Sequence, residues 1–152
     1  MMPSSLDHVK QVYLAGEPRG AAADRSEARE GDPALLNGHT VLLVEDEALV
    51  GMALQLDLES AGAQVIGPIP SLEEGLSAAT DAPFAVAILD IDLRGKDVFP
   101  VADQLLARDI PFLFHTGHGR RTELTNGYPG VPVCKKPMNS QKLLRVLAGL
   151  LV

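Results

Sequence analysis

The 152-residue sequence predicts an α/β fold, a doubly wound parallel sheet of five strands with helices on both faces. Three observations carry this. From Thr40 onward, short runs with no polar residue recur five times, as expected of strands covered on both faces. Segments with apolar residues at helical spacing separate most of these runs. Acidic, hydroxyl and lysine side chains gather just after the runs, where sheets of this kind bind ligands, outside the carboxyl ends of their strands.

The elements follow in order. Val41–Val44 is the first strand. Leu49, Met52, Ala53 and Leu56 then share a helical face, and Gly62 stops that helix. Val65-Ile66 is a short second strand ending at Gly67-Pro68. Ser71 and Glu74 form an S-x-x-E capping box for a helix facing inward through Leu72, Leu76 and Ala79. Phe84–Leu89 is the third strand. Asp97 is expected to cap a helix with Val98, Val101, Ala102 and Leu105 inward, Pro100 being tolerable in its first turn. Pro111–Phe114 is the fourth strand and Val131–Cys134 the fifth. Between them only residues 120–124 suit a helix, so the fourth helix should be short or irregular. Ser140 opens the last helix, with Leu143, Leu147, Leu150 and Leu151 inward.

Residues 1–38 differ in composition, and 39–152 make the domain. The stretch Gly16–Pro33 is small, charged and broken by Pro and Gly, so it is expected to be disordered. Before it, Leu6, Val9, Val12 and Tyr13 could form one short amphipathic helix; a frayed tail is the plainer reading. The net charge is −7, of which −2 falls in residues 1–38 and −5 in the domain. So acidic a chain is a poor partner for nucleic acid. One cysteine excludes a disulfide framework and a multi-cysteine zinc site. With no long apolar run and no secretory leader, the sequence reads as a cytoplasmic protein outside the membrane.

The strand ends carry the chemistry. Glu45, Asp46 and Glu47 follow the first strand, Asp90 and then Asp92 the third, Thr116 and Gly117 the fourth, and Lys136-Pro137 the fifth. Carboxylates from two strand ends suit a hard cation, Mg²⁺ above all. A lysine and a hydroxyl beside them suit a phosphoryl group. A central carboxylate could act as nucleophile and form an acyl phosphate. Each feature alone is ordinary: acids follow strands as helix caps, and Thr-Gly is a common turn. All four in this order, spaced 44, 26 and 20 residues from Asp46 to Asp90 to Thr116 to Lys136, are hard to explain otherwise. His115 and His118 lack a third ligand at metal-binding spacing and are read as non-ligands. Cys134 reads as a small core residue.

The segments VLLVEDE (Val41–Glu47), AILDIDLRG (Ala87–Gly95), FHTGHG (Phe114–Gly119) and CKKP (Cys134–Pro137) resemble those of bacterial response-regulator receiver domains, over about residues 40–152. The resemblance implies a flavodoxin-like fold. It implies Glu45 and Asp46 as the acidic pair for Mg²⁺, Asp90 as phosphoryl acceptor and Asp92 as the giver of a main-chain carbonyl to the metal. Thr116 would be the switch hydroxyl. Lys136, chosen over Lys135 because it directly precedes the proline, would pair with the phosphoryl group. FHTGHG is also similar to the FATGUY motif of an atypical, mostly stand-alone subgroup, from which His115 and Gly119 depart. Arg94 stands where most receivers carry proline, and Val133 where they carry an aromatic residue.

The implied function is a single-domain response regulator. It would accept a phosphoryl group on Asp90 from a sensor histidine kinase or phosphotransfer protein, and signal to a downstream protein as a monomer or weak dimer. It would not be a metabolic enzyme. With the last helix reaching the chain end, output is expected through protein contacts. Two rivals stand beside this reading. Asp90-Ile91-Asp92 resembles the Asp-x-Asp of haloacid-dehalogenase-type phosphatases, although Arg94 does not fit that motif. The other rival is a pseudo-receiver that binds partners without being phosphorylated.

Overall fold

A computed structural model of the chain describes residues 34–117 and 121–152. The expectations for the first 33 residues, and for His118, lie outside the described residues. Five parallel strands form one sheet: β1 (Thr40–Val44), β2 (Gln64–Ile69), β3 (Val86–Leu89), β6 (Phe112–Thr116) and β7 (Val133–Lys135). Their spatial order is β2-β1-β3-β6-β7, so the winding reverses between β1 and β3. That reversal is the switch point, where loops from the two halves diverge and leave a cleft. Among the described residues five helices cover the sheet: α1 (Ala48–Ser60), α2 (Leu72–Asp81), α3 (Phe99–Ala107), α4 (Arg121–Gly127) and α5 (Ser140–Gly149).

Strand alternation sorts the side chains into two apolar layers. Val41, Leu43, Ile88 and Leu113 pack with Leu54, Leu58, Leu143 and Leu147 from α1 and α5. Leu42, Val44, Leu89, Phe112 and Phe114 pack on the other face with Val101, Ala102 and Leu105 of α3. The packed unit begins before residue 39. Leu36 is 0% exposed within the first layer, and its N–H donates to the Ala61 carbonyl at 2.8 Å.

Several elements depart from the sequence expectation. The second strand does not end at Gly67-Pro68 but continues to Ile69. Its register slips from Leu42↔Ile66 to Val44↔Ile69, a one-residue bulge. Gly67 makes the bulge possible, because with φ +122° any Cβ would lie 2.3 Å from the Leu43 carbonyl oxygen. On α1 the buried face is the opposite of the expected one: Gly51, Leu54 and Leu58 point inward, and Leu49, Met52 and Leu56 are 81%, 56% and 62% exposed. Asp97 does not cap α3. The cap position is Val98, and Asp97 belongs to a small hairpin, β4 (Asp92–Leu93) with β5 (Lys96–Asp97), paired Asp92↔Asp97 and Leu93↔Lys96. Its two-residue turn holds Arg94 at φ 54° and Gly95 at φ 85°, both left-handed, as a type I′ hairpin turn requires. Proline, locked near φ −65°, could not occupy position 94 here. The Ser71 cap stands as expected, its Oγ accepting the Glu74 N–H at 3.2 Å, but Leu76 does not face inward: it is 36% exposed, and Gly75 and Ala79 are the buried residues of α2. The fourth helix is short, at seven residues. Asn139 caps α5 by accepting from the N–H groups of Gln141 and Lys142.

Candidate functional site

The sheet brings the site residues to one end. The Asp90 N–H donates to the Val44 carbonyl and the Glu45 N–H to that of Ile69, both at 2.9 Å. These bonds fix the acidic ends of β3 and β1 side by side at the switch point. Across the sheet the Lys136 N–H donates to the Thr116 carbonyl at 2.7 Å, which holds the lysine at the same edge. Lys136 extends back over the acids. Its Nζ lies 3.0 Å from Glu45 Oε1, 3.1 Å from Glu47 Oε1 and 3.4 Å from Asp90 Oδ2. Lys135, the alternative in the sequence, is exposed and does not line the cleft.

Glu45, Asp46 and Asp90 each offer an oxygen within 4.8 Å of the others. Glu45 and Asp90 are buried, and Asp46 is half-buried. The Asp46 carboxylate is aimed by the hairpin, accepting the Arg94 N–H at 3.0 Å. Asp92 accepts the Gly95 N–H at 2.9 Å, so its carboxylate is committed to the turn. A cleft of about 360 Å³ opens here, lined by Asp46, Glu47, Asp90, Asp92, Gly117 and Lys136. Thr116 ends β6 as a buried residue and does not line the cleft; its neighbour Gly117 does.

The electrostatics follow from crowding acids around one ammonium. Burial first, then the hydrogen bond and negative charge of Glu45, push the Asp90 carboxyl up to about 8 against the pull of Lys136. Burial alone would lower Lys136, but Glu45, Asp90 and Glu47 outweigh it and hold the ammonium above its usual range. A site with so much negative charge and one lysine is short of cations. An all-oxygen trio of this size fits a hard divalent ion.

Sequence reasoning left two participants unused. Glu47 shares Lys136 with Glu45 and Asp90. Arg94 serves through its main chain, and the signal for it was the Arg-Gly pair, a turn dipeptide between Asp92 and Asp97. Of the two histidines, His118 lies outside the described residues. His115 is buried from the opposite face of β6, and burial lowers its imidazole to about 4.

No family model matches the chain. It is 32% identical over 89 residues to the transcriptional regulatory protein QseB of Haemophilus influenzae, and spans 40% of that protein's length. The solution structure of SdrG from Sphingomonas melonis Fr1 is 37% identical, covers 78% of this chain and is itself covered to 98%, with a TM-score of 0.65. The signal receiver domain of a modulated diguanylate cyclase from Desulfovibrio desulfuricans G20 is 30% identical over 71% of this chain and 89% of its own, with a TM-score of 0.63. Five parallel strands in this order, with an acidic pocket at their carboxyl ends, define a receiver module. The chain belongs to the response-regulator receiver family, whose members are signalling proteins rather than metabolic enzymes. Among the described residues no helix is long and apolar enough to cross a membrane.

Proposed function

We propose that this receiver accepts a phosphoryl group on the Asp90 carboxylate from a phosphohistidine of a sensor kinase or phosphotransfer protein, and signals through protein contacts. The observation that supports this most strongly is the buried Asp90 facing Lys136 at 3.4 Å with two further carboxylates beside it. Glu45, Asp46 and Asp90, with the Asp92 main-chain carbonyl, would hold Mg²⁺. When bound it would offset the charge of the carboxylates and of the incoming phosphoryl group.

In the transfer an Asp90 carboxylate oxygen attacks phosphorus, in line with the donor nitrogen. The P–N bond breaks and its electron pair returns to the donor imidazole. Lys136, held against Asp90, pairs with a phosphoryl oxygen, and the Thr116 hydroxyl, buried at the end of β6 beforehand, would turn into the cleft to donate to another. Glu45 and Glu47, which share Lys136 before the reaction, keep its ammonium charged and aimed into the cleft.

Incubation with acetyl phosphate, with and without Mg²⁺, tests the reading. Stoichiometric, Mg²⁺-dependent modification supports it. Multiple turnover of a phosphomonoester would instead support a phosphatase, and no modification a pseudo-receiver.

A further inference from the structure

The Lys136 ammonium has three N–H donors and, before any reaction, three carboxylates around it. Their places differ. Glu45 is 2% exposed and does not line the cleft. Asp90 is the acceptor itself. Glu47 lines the cleft, has 61% of its side chain exposed, and stands outside the trio of Glu45, Asp46 and Asp90. Its position in the chain sets it apart again. At the N-cap of α1, where an acceptor side chain commonly takes a main-chain N–H, Glu47 makes no such bond. Its carboxylate is spent on Lys136 at 3.1 Å instead. Its main chain is pinned, the N–H donating to Glu45 Oε2 at 3.1 Å, so the side chain can swing while α1 stays in place.

We infer that Glu47 is the resting partner of Lys136, a positioning residue that occupies a lysine donor the phosphoryl group will need and lets go of it when that group arrives. This rests on the receiver reading and names how the same site is held before transfer. Charge and access both single out Glu47. A phosphoryl group on Asp90 brings about −1.5 to −2 of charge and three acceptor oxygens into the cleft that Glu47 lines. Like charges repel there, and the lysine's donors are already taken. Releasing Glu45 would leave a buried carboxylate without its cation, which is costly. Releasing Glu47 returns an exposed carboxylate to water, and an exposed ion pair is worth little. The contact is strong enough to help keep the ammonium over the acids and weak enough to break. It also competes: while Glu47 holds Lys136, a phosphoryl oxygen must displace it.

The contact is tested first without phosphoryl chemistry, so it and the receiver reading can fail separately. In the metal-free full chain, Glu47→Gln and Glu47→Asp should each shift the Lys136 ammonium ¹⁵N signal. Glu47→Asp keeps the charge but shortens the side chain and suits it to the cap of α1. Beryllofluoride, a phosphoryl mimic, is then titrated with Mg²⁺. Both variants should bind it more tightly than the wild type, by about 2–5-fold, the weight of one largely exposed ion pair. In the wild type the Glu47 side-chain carboxyl ¹³C signal should move as the mimic binds. An unmoved ammonium signal, a fixed Glu47 carboxyl signal, or equal affinity in all three proteins would overturn the proposal and leave the receiver reading standing. A gain in Glu47→Gln alone would trace the effect to net charge and overturn it too. Binding by none of the three would overturn the receiver reading, and the proposal with it.

Discussion

Asp90 and His115 are both buried titratable groups, and burial drives them in opposite senses. For Asp90 the folded value, about 8, lies above the 3.8 of an open chain. Its contribution to metal-free stability is therefore full below pH 3.8 and lost as pH rises toward 8. Asp90→Asn should flatten that loss in denaturant melts run in chelator, and a wild-type slope unchanged by the substitution would contradict the site's electrostatics. For His115 the folded value, about 4, lies below 6.5, so its contribution is present above pH 6.5 and lost as pH falls toward 4. His115→Leu should remove an acid-side loss on the order of 3 kcal/mol. Asp46→Asn should weaken Mg²⁺ binding severely yet stabilise the metal-free protein, because it relieves repulsion with Glu45 and Asp90. Equal affinity in a Mg²⁺ titration would remove Asp46 from the site. At this scale the sequence was most informative: Glu45, Asp46, Asp90 and Lys136 stood at strand ends and meet there. The missed roles are those of main-chain atoms, such as the Arg94 N–H, which no residue type announces.

The elements were legible where an apolar run or a cap dictates them, as in β3 and the Ser71 cap. They were not where two solutions fit one pattern. Helix α1 is apolar nearly all round, so periodicity could not choose between Leu49-Met52-Leu56 and Gly51-Leu54-Leu58. The choice is tertiary: Gly51 is small enough to let Pro68 approach, and a Cβ there would meet it at 2.8 Å. Leu58→Ala should therefore cost about 2–5 kcal/mol in chemical denaturation, while Leu56→Ser should stay within ~0.5 kcal/mol. Reversed magnitudes would restore the original face. The β4–β5 hairpin was likewise hidden, because two-residue strands carry no period and only the left-handed turn defines them.

For the whole molecule, the five-strand parallel architecture was readable because each strand is a continuous apolar run. The beginning of the packed unit was not readable: Leu36 sits in a segment whose composition resembles its surroundings, yet it fills the core beside Leu58 and Leu147. A chain cut before Ala34 should keep small-donor phosphorylation, whereas Leu36→Ala should lower stability by about 2–5 kcal/mol. The central claim is that this sheet exists to hold one carboxylate ready for a phosphoryl group. Intact-mass measurement after acetyl phosphate and Mg²⁺ tests it most directly. The wild type should gain one adduct of ~80 Da, lost with chelator and absent from a folded Asp90→Ala variant. An equal adduct on Asp90→Ala would contradict the account.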